Sequence, residues 1–320
     1  MGQTITLTES MRSNLSSLKS IQKQMDKTQE RLSTGKKVNS AIDNASSFYQ
    51  SRSLTNRASD LDALLDSMGQ GIQTIQAANE GIEAVTSYVE QMKAVANTAA
   101  TLAAPEAFTM TAPVAPTGSA DPGDGSDPEW KKYNEDKAAY DAAKAASDAA
   151  QASYQKELDS YITQFNTIRE QAVQLVNDAS YQGVNLLKGN TLKVVFNETR
   201  GNYLDVVGQN ITEDIKVLKD PAAWTGMDDI NASITLVTNG MTQLRSISSE
   251  LGNNYSIIQT RQNFTEALID VLETGSDNLV MADMNEESAN YLALQTRQQL
   301  AINSLSLASQ SAQSILSLFN

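Results

Sequence analysis

Neither cysteine nor histidine occurs anywhere in the 320 residues. Without cysteine there is no disulfide, no thiolate zinc site and no thiol nucleophile. Without histidine the commonest metal ligand and the usual general base near neutral pH are missing. Carboxylate, lysine or serine–lysine chemistry stays open to the composition, but the common enzyme designs are excluded. No enzymatic activity, cofactor or metal is expected. Glycine (16), proline (6) and aromatics (6%) are scarce, so the chain has little with which to build a bulky globular core. No apolar run reaches the roughly 18 residues of a membrane span, and none is expected. The opening MGQTITLTES has neither a basic n-region nor an apolar h-region, so no cleaved secretory signal is expected.

What the chain does hold is Ala, Ser, Gln, Leu and Asn, together with 38 acidic and 24 basic residues for a net charge of −14. Such a charge disfavours nucleic acid as a partner. The charge is uneven, because residues 1–60 carry nine Lys/Arg against five Asp/Glu.

Hydrophobic periodicity predicts long helices. Over 3–33, Leu18, Ile21, Met25, Thr28 and Leu32 step 3,4,3,4, the a/d seam of a coiled coil, and Gly35 is a natural stop. Lys36–Ser47 reads as a linker. A second helix over 47–104 carries Leu54, Ala58, Leu61, Leu65, Met68, Ile72 and Ile75. The pattern then shifts register and continues through Ala78, Ile82, Val85, Val89, Met92, Ala96 and Ala99. Residues 105–128, with four prolines from Pro105 to Pro122 among Thr, Ser, Gly and Asp, cannot bury a core and read as an exposed loop.

Asp127-Pro128-Glu129 then marks a helix start, and a 3,4 rhythm runs from Trp130 to Leu175. The first half of that helix has a polar seam and an Ala-rich body, which suits a more exposed place. The stretch 180–190, SYQGVNLLKGN, reads as a structured turn. Residues 191–196 and 203–207 read as two strands of a hairpin, and 209–228 as irregular. A fourth helix is expected over 229–275, and a last one over 285–319 in which Tyr291, Leu294, Gln298, Ala301, Leu305, Ala308, Ala312, Ile315 and Phe319 step 3,4 to the end. Asp283, Glu286 and Glu287 read as acids complementing the start of that helix rather than as catalytic carboxylates. The fold class is therefore mainly α, a long antiparallel helical coiled-coil bundle with a small β-hairpin.

The ends of the chain point to assembly. Ordering a residue costs about 1–2 kcal/mol of backbone entropy, whereas a buried Leu, Ile or Phe returns about 1.5–3 kcal/mol. The last helix offers only a thin stripe to one partner. Leu292, Leu300, Ile302, Leu307, Leu316 and Leu318 lie off that stripe, so the helix asks for neighbours on several sides. On the residues alone, a monomeric bundle core and a surface ordered by other subunits both stay open.

Three segments resemble a known family. LSTGKKVNSAIDNASSF (32–48) followed by SLTNRASDLDALLDSMGQGIQTIQAANEGI (53–82) is similar to the amino-terminal region of bacterial flagellins. SYQGVNLLKGN (180–190) resembles the turn entering their β element, and MADMNEESANYLALQTRQQLAINSLSLASQSAQSILSLF (281–319) resembles their carboxy terminus. The pattern is nearest to alphaproteobacterial flagellins. The resemblance implies a structural subunit that polymerises with itself into the extracellular flagellar filament for swimming. It also implies export through the flagellar type III route, contacts with hook-associated junction and cap proteins, and an export chaperone on the carboxy-terminal helix.

On this pattern residues 1–40 with 284–320 form the terminal coiled-coil core, and 41–104 with 160–283 a helical tube domain carrying the hairpin. Residues 105–159 form a surface insertion. In the core, Leu18, Ile21, Met25 and Leu32 are expected to pair with Leu305, Ala308, Ala312, Ile315 and Phe319, with Leu294 on the same seam. Thr109, Thr111, Thr117 and Ser119 are candidate O-glycosylation acceptors. The rival readings are a junction protein with flagellin-like ends and a helical adhesin using 105–159.

Overall fold

The computed structural model describes residues 9–117 and 126–318, so Ser119 and Phe319 lie outside the described residues. Seven helices and one hairpin are described: α1 (Glu9–Thr34), α2 (Ala45–Ala99), α3 (Pro128–Asp178), β1 (Thr191–Val195), β2 (Tyr203–Val207), α4 (Ile211–Asp214), α5 (Lys216–Lys219), α6 (Met227–Val280) and α7 (Met284–Leu318). The mainly α fold class with a small hairpin holds. The stretch 209–228, expected to be irregular, is so over 220–226 but also holds the two single-turn helices α4 and α5 and the start of α6. Single turns are too short to show a 3.6-residue period, but burial of Ile211, Ile215, Val217 and Leu218 holds these in place.

The chain forms two compact units, one of residues up to Leu65 with those from Asn263 on, the other of Asp66–Gln262. In the second unit the α2 seam is dry: Met68, Ile75, Ala78, Ile82, Val85, Val89, Met92, Ala96 and Ala99 are buried. α3 begins where its signals predict. Asp127 caps it, accepting the Glu129 N–H at 2.9 Å, and Pro128 occupies the first turn. Its buried side chains, Tyr154, Leu158, Phe165, Ala172 and Val176, all fall in its second half. The first half is exposed or half-buried, held by Lys137–Asp141 and Lys144–Asp148 pairs one turn apart.

The 180–190 turn is built around buried Asn185. Its side-chain amide donates to the Val176 carbonyl at 2.7 Å, and its side-chain oxygen accepts the Leu187 N–H at 2.9 Å. The hairpin pairs antiparallel, Thr191 with Val207 through Val195 with Tyr203. It and the turn approach α2 at two glycines. A Cβ on Gly71 would meet Val194 Cγ2 at 2.9 Å, and one on Gly81 would meet Leu187 Cδ1 at 2.8 Å. Two helical glycines that look like weak points in the sequence are thus the seats of the β element. Trp224 is buried against Phe165 (centroids 5.2 Å apart) and donates its indole N–H to Ser233 at 2.8 Å.

In the first unit α2 meets α6 through Ala58, Leu61 and Leu272, with Leu54, Leu64, Leu268 and Ile269 around them. Beside this cluster the buried Ser51 and Ser276 hydroxyls satisfy each other at 2.8 Å. The terminal helices α1 and α7 pair with each other, and this pair carries the candidate site.

Candidate functional site

α1 and α7 are joined to the rest of the first unit by a short clasp. Gly35, at φ 69°, ends α1 in the left-handed conformation that an L side chain resists. Its carbonyl accepts the Ala282 N–H at 2.9 Å, and the Lys37 N–H donates to the Val280 carbonyl at 2.7 Å. Lys36 and Met281 form an isolated antiparallel bridge. Asp283 then caps α7, accepting the Asn285 N–H at 2.9 Å and the Glu286 N–H at 3.2 Å. The capping role expected of Asp283 is what the structure has.

From this clasp the two helices run antiparallel in a fixed register. Arg31 donates to Glu287 at 2.7 Å, and Gln298 donates to Gln22 at 2.7 Å. Along α1 the side chains turned from solvent include Leu18, Ile21, Met25, Thr28 and Leu32; along α7 they include Glu287, Tyr291, Leu294, Gln298, Ala301, Leu305 and Ala308. Both follow the 3,4 step of the sequence. Thr28, Glu287 and Leu294 are buried and the others half-buried. Ala312 and Ile315 lie on α7, with their side chains outside the described set.

The pairing along the seam differs from the expectation. Register counts outward from the clasp at Gly35 and Ala282, so Leu18, Ile21, Met25 and Leu32 face the stretch from Glu287 to about Ala301. Leu305 and Ala308 face the beginning of α1 instead. The stripes were legible, but the sequence does not state where the connecting turn closes. Glu287 also differs: it is buried and paired with Arg31 across the seam, not merely a helix-start acid. An acid at a position in step with Tyr291 and Leu294 was the available signal.

The loop between α1 and α2 is tied equally firmly. Asp43 accepts from the Asn39 and Ser40 N–H groups at 3.2 and 3.1 Å and from the Ser40 hydroxyl at 3.2 Å. Its other carboxylate oxygen pairs with Lys27 at 3.0 Å. The hydrogen bond from Lys27 holds the carboxyl down at about 2, against an ordinary 3.8.

Much apolar surface on the terminal helix is left in water. Leu292 is 62% exposed, Leu300 60% and Leu307 64%. These three side chains are spaced 8 and 7 residues apart, so they line one face of α7 on the side away from the seam, an apolar stripe left open for further neighbours. Thr109, Thr111 and Thr117 are exposed on the Pro-rich loop. Among the described residues no group of three or more Asp or Glu side chains could hold a metal ion. No described helix is long and apolar enough to cross a membrane.

Comparison with known proteins fits this arrangement. The family model for the bacterial flagellin N-terminal helical region matches residues 6–108, and that for the bacterial flagellin C-terminal helical region matches residues 234–319. Over nearly its whole length the chain is similar to flagellin FljM of Caulobacter vibrioides, 26% identical over 306 residues covering 95% of this chain and 94% of that one. It is likewise similar to a flagellin of Brucella melitensis, 28% identical over 318 residues covering 95% of each. Against flagellin A of Rhizobium meliloti identity rises to 44% over 94 residues, which are 29% of this chain and 24% of that one. With both terminal regions matched in order and relatives aligned end to end, the chain belongs to the bacterial flagellin family.

Proposed function

We infer that this chain is the structural subunit of a bacterial flagellar filament and acts by self-assembly, without catalysis of its own. The observation that carries the reading is the terminal helix pair. It has one closed seam, a fixed register and a stripe of exposed leucines on the side of α7 away from that seam, as a subunit needs when copies of itself supply the missing neighbours. In the filament, residues 1–40 with 284–320 make the inner coiled-coil layer, and Leu18, Ile21, Met25, Leu32, Leu294, Leu305, Ala308, Ala312, Ile315 and Phe319 are its core. Residues 41–104 with 160–283 make the surrounding tube. Residues 105–159 face outward, where Thr109, Thr111, Thr117 and Ser119 are accessible to O-glycosylation.

The filament lies outside the cell. Subunits reach it through the flagellar type III export route, an export chaperone holds the carboxy-terminal helix beforehand, and junction and cap proteins bound the polymer at its two ends. The test is to concentrate purified monomer in ammonium sulfate, which strengthens apolar burial, and to view the product by electron microscopy. Long uniform filaments are expected. Persistent monomer or short oligomers from chains with intact termini would overturn the reading in favour of a junction protein.

A further inference from the structure

The part of α6 that belongs to the first unit has three faces, only one of which is used. Thr265, Leu268, Leu272 and Ser276 turn toward α2. A second row, Phe264, Ala267, Val271 and Thr274, repeats the 3,4,3 step on an open face, with Phe264 59% and Val271 66% exposed. A third, Glu266, Asp270, Glu273 and Asp277, steps 4,3,4 and is exposed along its length. Helical geometry at 3.6 residues per turn sets these three rows roughly a third of a turn apart. No lysine or arginine occurs from Gln262 to Thr296. Lys36 and Arg52 line one cleft together with Glu273 and Asp277, and Glu266 and Asp270 lie outside it.

α1 carries the complementary pattern. Arg12, Lys19 and Lys23 lie on its face away from α7, exposed and spaced 7 and 4 residues apart, with small Ser16 and Ser20 beside them. Among the described residues no ion pair joins these three bases or the four acids of α6. The acidic row contains the same 7-and-4 spacing in either chain direction. Lysine and arginine also carry long aliphatic stems that cover apolar surface while their charged ends reach outward. A basic row laid over Phe264 and Val271 would therefore shield both side chains and bring its charges to Asp270 and Glu266.

We propose that this open face of α6 receives the basic face of α1 from a second copy of the chain. The contact joins two different patches, so it is heterologous and leaves a free patch of each kind on every added subunit, which is the condition for an open-ended helical polymer. Two α6 faces, or two α1 faces, would repel each other. The inference rests on the filament reading and names one contact within it.

The test is the critical concentration for polymerisation, read by sedimentation after equilibration at low ionic strength, where exposed charges are least screened. Lys19→Glu/Lys23→Glu and, separately, Glu266→Lys/Asp270→Lys are each expected to raise it about tenfold or more, since like charges then face each other. The chain carrying all four substitutions is expected to return to within about threefold of the wild type, because the attraction is restored with its signs exchanged. Circular dichroism of each monomer establishes that it is folded. Unchanged polymerisation of either double variant, or failure of the fourfold variant to recover while folded, overturns the proposal. Failure of the wild type itself to polymerise would instead overturn the filament reading.

Discussion

Asp43 and Gly208 show how single residues fix this structure. Asp43 is held ionised first by the hydrogen bond from Lys27 and then by backbone N–H groups of Asn39 and Ser40. Its folded value lies below its unfolded one, so its contribution is fully present above the ordinary 3.8 and is lost as pH falls through about 2. An NMR titration of the carboxyl should show a midpoint near 2, and Lys27→Met should move it toward 3.8; an unmoved midpoint would mean that the lysine is not the cause. Gly208 works by absence. A Cβ there would collide with the carbonyl oxygens of Asn190 and Leu186, both backbone atoms with no room to yield. Gly208→Ala should lower stability by roughly 2–3 kcal/mol, in the range of overpacked sites, seen as a lower urea midpoint. Nothing in the sequence marks Gly208 apart from the 15 other glycines, because its neighbours come from the turn before the hairpin.

Among the elements, α1 and α7 were the most legible, since a 3,4 repeat sustained over several turns is a strong signal and both helices follow it. Their mutual register was not legible. It depends on the bond from Ala282 to the Gly35 carbonyl and on the Arg31–Glu287 pair, contacts between residues some 250 positions apart. Leu305 sits half-buried on the seam opposite the start of α1. Leu305→Asp places a charge there and should leave a folded monomer that does not polymerise, checked by electron microscopy alongside circular dichroism. Normal filaments from this variant would remove Leu305 from the core. The short helices α4 and α5 mark the opposite limit. Four-residue elements carry no period, and tertiary burial of Ile211, Ile215, Val217 and Leu218 creates them.

For the whole molecule, the question is which parts the polymer needs. Among the described residues from 100 to 153 none is buried. Phe108 stands edge-on to Tyr140 at 5.2 Å, and the one-turn ion pairs of α3 also join residues of this same stretch. Replacing residues 106–150 by a short flexible linker should therefore leave polymerisation intact and give narrower filaments, measured by electron microscopy. Loss of assembly would show that this segment makes contacts between subunits. The α2 seam, the capped start of α3 and the exposed first half of α3 were each readable beforehand, because each rests on local spacing or local turn chemistry.

Composition and periodicity by themselves determined the mainly α class, the paired terminal helices, the hairpin and the exclusion of thiol and histidine chemistry, since these follow from residue types and from spacings a few positions long. Only the tertiary structure decided the partner of each seam position, the burial of Glu287 against Arg31, the seating of the hairpin on Gly71 and Gly81, and the open second face of α6. Those features depend on where two distant segments close on each other. A spacing along the chain fixes which side of a helix a residue occupies, but not what stands opposite it.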